Sequence, residues 1–233
     1  MRALALYLAM QLDLSRKHPD EKVREEADDL VALLTPVMKS FGTERGFHNA
    51  SLAMQVCGGA GYTTDWSIEQ YLRDVRIAMI YEGTNGIQAL DLVGRKLPRH
   101  GGRLMQVFQN RITEFLRGAK DVEGMGEFAD PLKAASKELT AVTMELATKG
   151  MEDPEEAAAI ASNYLKLFAL TTLAFLWNIE AKHALSARGG VGETKLRTAR
   201  YLFSQILPER HALVEVIKSG KTHMMAFDAE ELG

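Results

Sequence analysis

The chain has 233 residues, 46% of them hydrophobic and 25% charged, with a net charge of −3 and a pI near 6.1. That length suffices for one large or two small domains with their own core. The slight acidity excludes a sequence-independent attraction to nucleic acid or to an anionic membrane, so an anionic ligand must be held locally. The single Cys57 excludes an internal disulfide framework; with no basic-then-apolar signal pattern at the N-terminus, a cytoplasmic setting is the default expectation.

Few runs of alternating β-branched residues and long stretches of Ala, Leu, Met, Glu and Lys predict an all-α chain. Residues 2–17 read as a helix with Leu4, Tyr7, Leu8 and Leu12 on one stripe, stopped by His18-Pro19. It opens with no Ser, Thr, Asp or Asn cap, as a helix entered in its middle would. After the polar segment 20–29 a long helix is predicted over about 27–57, bent at Pro36, with Leu30, Leu33, Leu34, Val37, Phe41, Phe47, Leu52 and Val56 towards a core. Gly58, Gly59 and Gly61 end it. Helices over 68–76 and 87–97 follow, and Pro98 with Gly101-Gly102 marks a boundary. Beyond lie helices over about 102–120, 131–149, 154–188 and 193–219, whose short links predict antiparallel packing in a second, four-helix bundle. The longest apolar stretch, Leu165 to Trp177, is interrupted by Lys166 and two threonines. It falls short of the ~18 residues that span a bilayer, so no membrane association is expected.

Between the helices over 68–76 and 87–97 lies Tyr81-Glu82-Gly83-Thr84-Asn85-Gly86-Ile87-Gln88. A carboxylate there, under cover of Ile77, Met79, Ile80 and Ile87, would be partly desolvated, which raises its pKa towards the range of a general base. The alternative is an acid placed at a helix N-terminus, where the dipole favours it. Thr84 is the capping candidate for the helix that follows. Upstream, Gln55-Val56-Cys57-Gly58-Gly59-Ala60-Gly61 bares backbone amides to which phosphate oxygens can come close; a plain helix stop fits the same residues.

Taken in this order and spacing, Gln-x-x-Gly-Gly-x-Gly, then Arg73-Asp74, then Tyr-Glu-Gly-Thr resemble the C-terminal helical domain of flavin-dependent acyl-CoA dehydrogenases. The likeness is strong over 47–97 and looser elsewhere. It implies an acyl-CoA substrate, with Glu82 as the base that removes the α-proton while a hydride leaves the β-carbon for the flavin, giving a trans-2-enoyl-CoA. The Glu82 N–H would be one donor to the thioester carbonyl. Thr84 and Gly86 stand at flavin-contacting positions, Tyr81 and Gly83 at positions bordering the acyl group. Gln55, Gly58 and Gly59 stand where relatives touch FAD bound mainly by a neighbouring subunit, which implies a homo-oligomer. Arg73-Asp74 reads as a structural ion pair. Relatives often carry Gln or Glu at Gly86 and Arg at Ala89, and by that likeness the side chain lost at Gly86 would weaken one flavin contact.

The run from Asn85 to Val93 resembles a subgroup with an added helical domain, including enzymes similar to 3-methylmercaptopropionyl-CoA dehydrogenase. Residues 1–97 then form part of an acyl-CoA dehydrogenase C-terminal helical domain, and residues 98–233 the helical-bundle extension. The family places FAD and substrate against a middle β-domain, of which nothing is legible in these residues. The chain is therefore expected to be inactive alone and unable by itself to hold FAD. A non-catalytic helical interaction module and an acyl-CoA oxidase-like fragment are the alternatives. His183, His211 and His223 lack ligand spacing, so no metal site is expected. The run 187–195 lacks Gly-Lys-Ser/Thr and reads as a helix–helix turn. Trp66 and Trp177 read as packing residues.

Overall fold

The chain is all-α, as its periodicity predicts; the computed structural model describes residues 1–187 and 189–232, and no strand occurs among them. The α-helices are α1 (Arg2–Lys17), α2 (Glu21–Cys57), the single turn α3 (Gly59–Tyr62), α4 (Ile68–Ile77), α5 (Asn85–Asp91), α6 (Arg103–Ala119), α7 (Gly126–Glu152), α8 (Pro154–Ser186), α9 (Gly190–Tyr201) and α10 (Glu209–Lys218).

Helix α2 begins six residues before its expected start. Asp20 accepts from the Lys22 and Val23 N–H groups at 2.8 and 3.4 Å, and such a cap starts a helix even in a charged segment. It then runs unbroken through Pro36. Helix α7 also starts early, at Gly126, with Pro131 inside it. The pull is burial: Met125 and Phe128 are both fully enclosed, which favours extending the helix under them.

Two π turns were not legible in the sequence. Leu97 N–H closes one onto Leu92 O at 3.0 Å, and Leu207 N–H closes the other onto Leu202 O at 2.8 Å. Each is followed at once by a proline, Pro98 or Pro208. A proline ring presses on the carbonyl four residues back, and widening the turn relieves that pressure. The helix expected over 193–219 is thereby divided at Pro208 into α9 and α10. Of the run expected to be a helix–helix turn, 187–195, residues 190–195 already belong to α9. A Cβ on Gly192 would come within 2.8 Å of Ala184 O, so this glycine serves close helix approach; Arg188 lies outside the described residues.

Helix α8 packs against α1, α2, α5, α6, α7, α9 and α10. Contrary to the sequence expectation, it is long and apolar enough to cross a membrane by composition, yet 78% of that apolar window is buried inside the fold. Its apolar residues are therefore occupied as a core. Phe168 stacks on Phe108 at 5.0 Å, and Phe175 meets Tyr7, Phe108 and Phe115 edge-on. This cluster takes residues from both sides of Pro98, Leu30, Phe41 and Leu92 among them.

Of the polar groups left inside, some are paired and others, Asn178 Oδ1 and Gln109 Nε2 among them, have no hydrogen-bond partner among the described residues. The fully buried Tyr164 hydroxyl lies 2.7 Å from Thr143 Oγ1, which also bonds Leu139 O. Thr143→Val strands that hydroxyl and should cost ~1–3 kcal/mol, whereas Tyr164→Phe added to it should recover part of the loss. Urea unfolding of the two variants and the wild type measures both.

Asp29, 4% exposed, sits 2.7 Å from Arg103. Burial pushes its carboxyl above the ordinary range, outweighing the opposing pull of Arg103. The folded state thus holds this proton more tightly than the unfolded chain does. Ionising Asp29 therefore costs stability as pH rises from about 4 through the raised folded value, and below the unfolded value the cost is absent. Asp29→Asn should flatten that part of the profile, read as unfolding midpoints from pH 4 to 8.

Candidate functional site

The glycine run and the Glu82 loop both belong to a hairpin in which α4 returns alongside the second half of α2. Gly58, at φ 59° and ψ −146°, ends α2, and its N–H closes back onto Gln55 O at 3.1 Å. That amide is thus spent on the helix stop, the second of the two readings the sequence left open, and is not bared to a phosphate. Gln55 and Gly59 are exposed. A Cβ on Gly59 would meet nothing within 4 Å, whereas one on Gly61 would meet Cys57 Cβ and Met54 O at 2.8 Å. Internal packing therefore explains Gly61 and leaves Gly59 open to an outside group.

The Glu82 loop lies beside the middle of α2, at Lys39 to Glu44. Glu82 and Gly83 take left-handed backbone angles, φ 54° and 82°. For glutamate this conformation is uncommon and must be held by its surroundings. Gln88 Nε2 donates to Glu82 O at 3.2 Å, Lys39 Nζ donates to Gly83 O, and Asn85 N–H donates to Met79 O at 3.1 Å. Gly83 is required twice over: by its φ, and because a Cβ would come within 2.9 Å of Gln88 Nε2.

Thr84 caps α5 as expected, accepting from Ile87 N–H at 3.3 Å. Its own hydroxyl hydrogen remains available to donate. Gly86 lies in the first turn of α5 with only Thr84 Oγ1, at 3.9 Å, near a virtual Cβ. The N–H groups of Glu82, Gly83 and Thr84 donate to no acceptor among the described residues. Tied carbonyls and unpaired, exposed amides leave the N–H groups available to an outside acceptor.

Sequence reasoning missed Asn85. Its Oδ1 accepts from Lys39 Nζ at 3.2 Å, and its Nδ2 donates to Ser40 O at 3.2 Å and Glu44 Oε1 at 3.4 Å. Thr43 Oγ1 lies 3.1 Å from the same Oδ1, but its single hydrogen has Lys39 O nearer, at 2.8 Å. The only signal was an amide directly after the cap; its partners lie some forty residues back.

Other expectations fail against the structure. Glu82 is exposed, and Ile77, Ile80 and Ile87 are themselves about half exposed; they flank the carboxylate without covering it. Leu52 and Val56 likewise face outward, Val56 at 87%, because α2 outruns the core at its far end. Phe47 is half-buried, covered by the Arg76 guanidinium at 5.6 Å. Arg73 pairs with Glu69 at 2.9 Å and Asp74 accepts from Gln70, so no Arg73–Asp74 ion pair forms. Helical spacing explains this, since neighbours in sequence point apart while residues three and four apart meet. Trp66 is 65% exposed and packs on no core, whereas Trp177 is half-buried beneath Lys195.

Glu82 and the Gln55–Gly59 run are not brought together. Along α2 they are separated by on the order of 20 Å, from a rise of 1.5 Å per residue. Around and between them stand the exposed Tyr62, Tyr71 and Tyr81 with Val56 and Trp66. A cleft lies elsewhere, at the far end of α5, lined by Gly94, Arg95, Lys96, Pro98 and Arg99. Asp91 pairs with both Arg95 and Lys96 there. Among the described residues no group of three or more His, Cys, Asp and Glu could hold a metal.

Comparison with known proteins agrees with this architecture. Residues 2–97 match the family described as acyl-CoA dehydrogenase, C-terminal domain, and residues 108–228 the family described as acetyl-CoA dehydrogenase C-terminal like. The 3-methylmercaptopropionyl-CoA dehydrogenase of Ruegeria pomeroyi is 36% identical over 89% of this chain and 36% of its own length. A butyryl-CoA dehydrogenase of Syntrophomonas wolfei is 26% identical over 95% of this chain and 38% of its own. The crystal structure of ACDH-11 of Caenorhabditis elegans in complex with C11-CoA superposes with a TM-score of 0.75 at 17% identity, covering 96% of this chain and 37% of that one. The chain thus spans under two-fifths of the length of these relatives. By the two matched families it belongs to the acyl-CoA dehydrogenases and comprises their C-terminal helical domains.

Proposed function

We propose that this chain supplies the base-bearing helical part of a flavin-dependent acyl-CoA dehydrogenase, with Glu82 as the base. The observation that carries this reading is the Glu82 loop: a solvent-facing carboxylate on a backbone whose carbonyls are tied and whose adjacent amides are unpaired.

FAD, when bound, supplies the hydride acceptor. Within the chain, the Glu82 carboxylate takes the α-proton of an acyl-CoA thioester. The Glu82 N–H donates to the thioester carbonyl oxygen, where negative charge develops as the α-proton leaves. Tyr81 and Gly83 flank the acyl chain. Thr84, whose oxygen already accepts from Ile87 N–H, keeps its hydrogen to donate towards the flavin. A side chain lost at Gly86 leaves that neighbourhood open.

Gln55, Gly58 and Gly59 are read as contacts to a second FAD, held mainly by another copy of the chain. Their separation from Glu82 supports assigning the two groups to different cofactor regions. The open surface at Gly59 and the exposed Val56, Tyr62 and Trp66 fit a face covered in a homo-oligomer. That same apolar face is what favours a second reading, a helical interaction module without chemistry. Exposure of Glu82 in this chain means that its desolvation must come from substrate, flavin and the surfaces that close over them.

The complete gene product, loaded with FAD, tests the two readings. It should be yellow and be bleached by an acyl-CoA without oxygen. Glu82→Gln should keep the colour and lower the bleaching rate by more than about 1,000-fold, the scale on which loss of a positioned base acts. Failure to take up FAD at all would favour the interaction module, and rapid peroxide formation in air would point to an oxidase.

A further inference from the structure

We propose that Lys39 is a positioning residue for the Glu82 base: its ammonium, bonded to Gly83 O and Asn85 Oδ1, holds the left-handed Glu82–Gly83 pair in its working geometry. This rests on the reading of Glu82 as the base.

Three features point to it. Lys39 is half-buried on α2, and among the described residues it has no carboxylate within 4 Å; both of its hydrogen bonds end on residues 83 and 85. A partly desolvated ammonium without an ion-pair partner is costly, and here it serves only this loop. The loop is also held from one side. Its two left-handed residues are gripped by their carbonyls, Glu82 O by Gln88 and Gly83 O by Lys39, so the N–H groups of the same segment stay free. Finally, Lys39 donates to the one oxygen of Asn85, whose amide nitrogen is consumed by Ser40 O and Glu44. Such a network has one arrangement, and removing its single charged donor releases two acceptors at once.

A small displacement of the base matters because a misplacement near 1 Å can cost about 100-fold in rate. Lys39→Met keeps the apolar stem and removes the donor; Asn85→Ser cuts the same anchor from the loop. In the 233-residue chain, both should speed amide exchange at Ile87 and Gln88 by about tenfold or more, with the thermal midpoint of the rest little changed. In the FAD-loaded complete gene product, both should slow anaerobic bleaching at saturating acyl-CoA by about 10- to 100-fold while leaving half-saturation within about threefold. Lys39→Arg should recover part of the rate.

Unchanged exchange, or an effect confined to half-saturation, would overturn the role of Lys39. So would a Lys39→Met protein that bleaches at the wild-type rate while Glu82→Gln is inert. If Glu82→Gln itself bleaches normally, the assignment of the base fails, and the exchange measurement then shows only whether Lys39 holds the loop.

Discussion

Burial of the middle of α8, from Tyr164 to Asn178, on nearly every side is the constraint from which the remaining packing follows. A helix that is apolar all round cannot present a face to water, so it must be wrapped. Here α1, α2, α5, α6, α7, α9 and α10 do the wrapping. Two of those helices, α2 and α5, also carry the site. The Glu82 loop is therefore mounted between elements fixed by the deepest part of the core, with Ala89 and Leu92 buried one and two turns beyond it.

The core and the loop are secured by different forces. Apolar area and aromatic edges hold α8, whereas the loop is tied to α2 through hydrogen bonds from Lys39 and Asn85. Directional bonds set an orientation that apolar contacts alone leave loose. They suit a segment that must hold a strained backbone while its apolar side chains, Ile77, Ile80, Tyr81 and Ile87, remain outside. The order of stiffness is thus from core to α2 to loop.

Much of this was legible beforehand, and the failures have physical causes. The helix content, the α1 boundaries and the Thr84 cap follow from local spacing and local hydrogen bonding, and the structure repeats them. Family likeness pointed to Glu82 and the Gln55–Gly59 run, and their distance from each other became visible only when the Glu82 loop proved to dock at the middle of α2. Burial at Val56 and Trp66 was misjudged because periodicity says which residues share a face and not whether the fold reaches that far. Asn85 and Lys39 escaped because a contact across some forty residues leaves no trace in a single sequence.

The continuity of α2 also makes it a ruler with a phase. Between Glu44, level with the base loop, and Gln55 no turn interrupts the helix. One residue inserted or deleted there would slide the glycine run by about 1.5 Å and rotate it by about 100°. Seven residues would nearly restore the direction but move the run by about 10 Å. Length variation among relatives should therefore collect in the links between helices and be shunned within this stretch, whatever the side chains along it.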